Sequence, residues 1–243
     1  MPEFSIRYPA RSARPTLAAA EVAGLFDFDA AAAEVIVADR VTLDLRPGDL
    51  TLFVGPSGSG KSSLLRAAAA HLGATDVAAL PLPDLALVDA LSGPVPARLA
   101  ALAACGLGEA RVALRRPAEL SDGQRARFRL AYALDRVAGP VALDEFAAVL
   151  DRPLAQVLAR NLRRAVDRRG HAALVATTHD DLTDDLNPDV LVRCRGEGLV
   201  EVTRRDPRKK ASVSCRSFGC RRAPDPTGRT SLGGITAATG SAS

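Results

Sequence analysis

The run Gly55-Pro56-Ser57-Gly58-Ser59-Gly60-Lys61-Ser62 has the residue types and the spacing to hold a polyphosphate. Its glycines let the backbone curl until successive N–H groups point inward at phosphate oxygens, and a helix opening near Lys61 adds the positive end of its dipole. Lys61 supplies the charge that neutralises the outer phosphates, Ser62 offers a hydroxyl to Mg2+, and Ser63 extends the lining. A second chemical feature is Asp144-Glu145, directly after the apolar Val141-Ala142-Leu143. A buried strand ending in two carboxylates delivers both to the carboxyl edge of a parallel sheet, where α/β proteins bind their ligands. There Asp144 would hold Mg2+ through water, and Glu145 would orient and polarise an attacking water. The implied chemistry is Mg2+-assisted hydrolysis of a nucleoside triphosphate, with Lys61 and Glu145 as its principal residues.

These residues need a scaffold, and the chain spells one. Residues 34–54 read as extended structure interrupted by the turn Arg46-Pro47-Gly48-Asp49. The glycine run breaks that pattern, and Lys61 to His71 resumes with helical composition. Residues 81–119 read as short helices broken by Pro81, Pro83, Pro94, Pro96 and Pro117, and residues 122–137 as one strong helix. Buried strands follow at 141–143 and 172–178, separated by a basic amphipathic helix over about 153–168, and a hairpin turns at Gly196-Glu197-Gly198. Strands alternating with helices predict an α/β fold with a mostly parallel sheet and a small antiparallel portion.

With 243 residues and 47% apolar content, the chain has material for one large domain. Its apolar stretches, such as Leu99 to Cys105, are too short to span a bilayer, and the N-terminus lacks the apolar core of a signal peptide, so a soluble cytoplasmic protein is expected. The basic character of the chain is concentrated in residues 203–243, which hold nine Lys/Arg against two Asp/Glu, while the remainder is net acidic. A nucleic-acid partner is therefore not supported by the charge of the body. Cysteines at 105, 194, 215 and 220 lack the spacing of a zinc site and read as ordinary reduced thiols.

Leu120-Ser121-Asp122-Gly123-Gln124, opening the helix R-A-R-F-R-L-A-Y-A-L, brings in a resemblance to the ABC ATPase superfamily, whose signature reads L-S-G-G-Q. Ser121 lies 23 residues before Asp144, Phe146 to Asp151 stand in the register of that family's D-loop, and Thr178-His179 match its switch histidine. The resemblance covers roughly residues 30–203 and implies a P-loop NTPase fold of the ABC type, with ATP and Mg2+ as its ligands. It further implies a homodimer in which ATP is sandwiched between one chain's Gly55–Ser62 and the other's signature. Ser121, Gly123 and Gln124 would then face the nucleotide bound to the partner chain, with Asp151 completing the contact. His179 would bridge the γ-phosphate, the attacking water and Glu145.

The departures from the family are specific. Its adenine-stacking aromatic would fall near Ala32, leaving Phe26 or Phe28 as substitutes; no glutamine stands between Ser62 and Gln124 to serve its Q-loop; and Asp122 replaces a glycine. Lys61 and Ser121 are only 60 residues apart, which leaves a shortened helical subdomain at about 75–135. The run from Leu120 through Val190 also resembles non-transporter ABC ATPases fused to an acetyltransferase-like domain. The expected organisation is an N-terminal extension over 1–29, an ATPase domain over 30–205 and a disordered basic tail over 206–243. That tail reads either as an ordinary basic tail or as the frameshifted remnant of the fused domain. The expected function is an ATP-hydrolysing, dimerising ATPase outside transport, with an acetyltransferase-like partner or lost domain. The alternatives are a transporter's nucleotide-binding subunit, a DNA-associated ABC ATPase and a slow binding switch.

Overall fold

A computed structural model describes residues 1–8, 16–26, 34–148 and 150–205. Among them, contacts gather Met1–Asp206 into one compact unit. The main sheet is built on β3 (Leu50–Val54), whose five residues are all buried and which therefore reads as a continuous apolar run. Around it lie β4 (Thr75–Asp76), β5 (Val141–Leu143), β6 (Ala173–Thr177), β7 (Val190–Gly196) and β8 (Leu199–Arg204), in the order β4-β5-β6-β3-β7-β8. Every pairing is parallel except that of β7 with β8, the hairpin expected from its Gly-Glu-Gly turn.

A second, two-stranded antiparallel sheet joins β1 (Glu3–Tyr8) to β2 (Val35–Thr42). The N-terminal segment is thus not simply an extension: its first eight residues include a strand paired with β2, and Phe4 is buried beside β2's Ala38 and Val41. The helix α1 (Leu17–Leu25), capped by Thr16, lies between these two strands in the chain.

Helix α2 (Lys61–Leu72) packs against β6 and buries Leu64, Leu65 and Ala68 together with Phe53 and Leu174. On the other side, α6 (Asp122–Arg136) and α7 (Arg152–Arg169) bury Phe128, Leu130, Leu158 and Leu162 in the cluster that contains Leu50 and Leu52. Both long helices carry apolar residues at helical spacing and basic residues on the opposite face. Between β4 and α6 the prolines act as punctuation, as their spacing predicts: α3 (Leu87–Ala90) and α5 (Ala110–Ala113) are single turns, and α4 (Val95–Ala104) starts after Pro94 with Pro96 in its first turn. Because Thr75 and Asp76 pair with β5, the helical region begins later than residue 75. One short helix, α8 (Thr183–Leu186), precedes β7 and packs on α7.

One polar cluster ties the start of β3 to α7 and to the end of β8. Asp189 accepts from the Leu50 N–H at 2.9 Å, from Arg163 Nη1 at 2.6 Å and from Arg205 Nη2 at 3.0 Å. Burial by itself would push the Asp189 carboxyl up, but the Leu50 N–H and the Arg163 and Arg205 guanidinium groups outweigh it and hold the carboxyl below its ordinary range. A carboxyl depressed in the folded state stabilises the fold above its unfolded pKa and loses that contribution as the pH falls through the folded value. Asp189→Asn is therefore expected to lower unfolding free energy by about 2 kcal/mol at neutral pH. The difference from the parent chain should shrink as denaturant titrations are repeated below about pH 4; an equal difference at every pH would contradict this assignment.

Candidate functional site

The loop between β3 and α2 is shaped by two contacts that leave no space for side chains. A Cβ on Gly55 would lie 2.0 Å from the carbonyl oxygen of Cys194 on β7, and one on Gly60 would lie 2.2 Å from Cγ1 of Val37 on β2. Both residues have positive φ, +144° and +90°, so glycine is required by conformation as well as by space. Held from both sides, the loop presents its backbone to a cleft of about 510 Å3.

Ser57, Gly58, Gly60, Lys61, Ser62 and Ser63 line one wall of that cleft. Asp144 and Glu145 line another, with Thr177 and Thr178 at the end of β6. Gly55 and Pro56 face a separate hollow beside β7, and Ser59 turns inward, its Oγ buried with no hydrogen-bond partner. Lys61 is 8% exposed, and its ammonium donates to the Pro56 carbonyl at 2.6 Å. Ser62 Oγ donates to Asp144 Oδ1 at 2.9 Å, across 82 residues of sequence. A hydroxyl and a carboxylate side by side form the hard oxygen set that Mg2+ prefers, with the remaining positions left for waters and phosphates. The loop N–H groups, the N-terminus of α2 and Lys61 fit a polyphosphate in the same cleft.

The turn after β5 aims Glu145. Glu145 and Ala147 both have positive φ, +51° and +64°, a strained conformation for residues with side chains. The turn is held in place by β6: Phe146 N–H donates to the Ala176 carbonyl at 2.8 Å, and Thr177 Oγ1 donates to the Phe146 carbonyl at 3.0 Å. Within the turn, Glu145 N–H donates to Asp144 Oδ1 at 3.0 Å. Glu145 is left exposed toward the cleft.

The other expected site residues are placed differently. His179 follows β6 and starts a short 3-10 turn, with its N–H on Thr177 Oγ1 at 3.2 Å, beyond the residues that line the cleft. Asp151 caps α7 by accepting from the Leu154 N–H at 2.9 Å. Ser121 and Gln124 form a reciprocal cap at the start of α6, and neither they nor Gly123 line the cleft. The Asp122 side chain is 98% exposed, pairs with Arg125 and does not line the cleft.

Tyr8 is the residue that motif spacing missed. It ends β1, lines the cleft with Val35 and Val37, and donates its hydroxyl to Ser63 Oγ at 2.9 Å. The first strand thus contributes an aromatic side chain to the cleft wall. Phe26, one proposed substitute, is 78% exposed at the end of α1; Ala32 and Phe28 lie outside the described residues. The alternating E-F-S-I-R-Y at the N-terminus was the available signal, and only strand pairing reveals which wall Tyr8 reaches. The two described cysteines are no nucleophiles: burial pushes the Cys105 thiol up to about 12 and the Cys194 thiol up to about 11.

Comparison with known proteins agrees with this geometry. The family model described as ABC transporter matches residues 38–76. The chain is 30% identical over 200 residues to a lipoprotein-releasing system ATP-binding protein of Novosphingobium aromaticivorans, covering 66% of this chain and 88% of that one. It is 34% identical over 163 residues to an aliphatic sulfonates import ATP-binding protein of Delftia acidovorans, covering 59% of this chain and 67% of the relative. The chain belongs to the ABC ATPase superfamily. As a member of it, the protein is an ATP-binding ATPase that works with Mg2+. The fold agrees with a dimeric ATP-binding cassette in a post-hydrolysis state bound to ADP and Pi, at a TM-score of 0.55 and 18% identity over 71% of this chain and 92% of that one. It also agrees with a Clostridium perfringens cassette that is part of an ABC transporter complex, at a TM-score of 0.52 and 18% identity over 68% of this chain and 80% of that one. The expected acetyltransferase-like fusion finds no support in these matches, and the tail on which it would follow lies outside the described residues.

Tyr8→Ala is expected to weaken ATP binding about tenfold, the loss of one aromatic face against a base, whereas Tyr8→Phe should retain most of the affinity. Titration of a fluorescent ATP analogue measures both; equal affinities for the two variants would place the base elsewhere.

Proposed function

We propose that two copies of the chain close on two molecules of Mg-ATP and that hydrolysis reopens them, the chain serving as the nucleotide-binding subunit of an ABC transporter. The observation that carries the hydrolytic part is the meeting of Ser62, Asp144 and Glu145 in one cleft with the phosphate loop. Mg2+, bound by Ser62 and through water by Asp144, would neutralise charge on the β and γ phosphates. Lys61 would leave the Pro56 carbonyl for the phosphates, and Tyr8 would wall the adenine. Glu145 would accept the proton of the water that attacks the γ-phosphorus, ADP leaving on the opposite side. His179 would bridge the γ-phosphate, that water and Glu145. Ser121 and Gly123, remote from their own chain's cleft, would complete the partner's site, with Asp151 near the same contact.

The transporter reading rests on the relatives, whose names are those of export and import ATP-binding proteins, and it replaces the expectation of an ATPase outside transport as the better supported one. That second reading keeps one specific observation: no glutamine lies between Ser62 and Gln124, and the helices in that interval are short. The transporter reading also places this chain on the cytoplasmic face of a membrane protein; no helix among the described residues is long and apolar enough to cross a bilayer itself.

Glu145→Gln should lower steady-state turnover by about two orders of magnitude or more, the usual loss of a positioned base, and should trap an ATP-bound dimer on size-exclusion chromatography. Unchanged turnover and unchanged dimer population together would remove Glu145 from the mechanism. For the partner, the tagged Glu145→Gln chain should co-purify with one multi-span membrane protein from detergent-solubilised membranes. Recovery of the ATPase without any membrane protein would favour the second reading.

A further inference from the structure

Glu145 borders two hollows. One is the phosphate cleft; the other is a cavity of about 140 Å3 between α6 and the turn that follows β5. Asp144, Glu145 and Ala148 line both, and Arg129 of α6 lines only the second. The walls there are otherwise largely aliphatic, among them Leu130, Leu143 and Leu158.

The arginines of α6 divide sharply. Arg125 donates to the Pro117 and Leu120 carbonyls, Arg127 to those of Gly123 and Gly106, and Arg136 to that of Ala90. These bonds tie the helix to the segments around it. Arg129 Nε, in contrast, is buried without a hydrogen-bond partner, and Arg129 forms no ion pair among the described residues. Arg129 itself is half-buried, but its Nε lies against the cavity walls, and a buried donor left without an acceptor is costly. Glu145 is the carboxylate at that cavity's mouth that is not already accepting from Ser62.

We propose that Arg129 is a positioning residue for Glu145: it reaches the Glu145 carboxylate through the cavity and fixes its direction toward the phosphate cleft. It thereby supplies, from the signature helix of the same chain, a polar constraint in a protein with no glutamine between Ser62 and Gln124. The proposal rests on the reading of Glu145 as the base.

The test compares Arg129→Met, Arg129→Lys, Glu145→Gln and the Arg129→Met/Glu145→Gln double variant in the full chain. Arg129→Met should lower kcat about tenfold with KM for ATP within about twofold of the parent, the pattern of an interaction that acts on the chemical step. Arg129→Lys should recover most of that loss. The double variant should be no slower than Glu145→Gln alone, since the two side chains act as a pair. Thermal unfolding gives a readout apart from activity: Arg129→Met should melt close to the parent, because a contact to the exposed Glu145 carboxylate adds little to stability. An unchanged kcat in Arg129→Met, or a fall in Tm with parallel losses in kcat and KM that lysine does not rescue, overturns the proposal. Full turnover in Glu145→Gln would instead overturn the reading beneath it.

Discussion

The contact between Gly55 and the carbonyl of Cys194 governs how the nucleotide site is assembled. Here the backbone leaving the central strand passes so close to β7 that not even a methyl group fits. On its other side the same loop lies against Val37 of β2 at Gly60. A loop packed this closely between two strands has little room to adopt another turn, so its backbone is held at the edge of the cleft. Preorganisation of this kind is what makes a phosphate site effective, because the donors need not be reoriented at the moment of binding. Everything else in the fold holds that geometry: Asp189 anchors the start of β3, the buried faces of α2, α6 and α7 clamp the sheet, and β6 holds the carboxylate turn at the right height.

Within the cleft the groups that would grip a nucleotide are engaged with one another. Lys61 rests on the Pro56 carbonyl, Ser62 on Asp144 and Tyr8 on Ser63. Each of these bonds satisfies a polar atom that would otherwise be left without a partner in a partly enclosed space. A nucleotide must therefore replace internal hydrogen bonds rather than simply add new ones, which moderates affinity and makes each exchange specific to a charged, oxygen-rich ligand. The carboxylate turn is different. Glu145 sits in a left-handed conformation that a non-glycine residue adopts only under constraint, and its strain is sustained by the hydrogen bonds to β6. The Glu145 carboxylate is thus tied to the end of β6 that His179 follows.

The signature segment lies at the exposed start of α6, where Ser121 and Gln124 cap the helix and Asp122 projects outward. None of Ser121, Gly123 and Gln124 lines the cleft of their own chain, so the N-terminus of α6 is open to an anion brought by another molecule. Arginines of the same helix bind the carbonyls of Leu120, Gly106 and Ala90, which ties α6 to the segments that precede it.

The glycine loop after β3, the strand ending in Asp144-Glu145, the helix after Ser121 and most of the element order from β3 onward were legible in the sequence, whereas β1, α1, β4 and α8 were not. Each of the legible features is local: a glycine pattern, a buried run ended by charge, or an amphipathic period can be read within a few residues. The proline-broken helices of residues 81–119 were legible for the same reason. Tyr8 and Arg129 were not. Tyr8 enters the site because β1 pairs antiparallel with β2 and ends beside Ser63, 55 residues away. Arg129 is one arginine among several on α6, and nothing in its neighbours along the chain separates it from those that bind carbonyls. Arg127 lines the same cavity, but its guanidinium is taken up by the Gly123 and Gly106 carbonyls, whereas Arg129 Nε has no acceptor. Local spacing settles which backbone conformations are possible; which side chains share a cavity depends on contacts between elements distant in sequence, and those exist only in the folded chain.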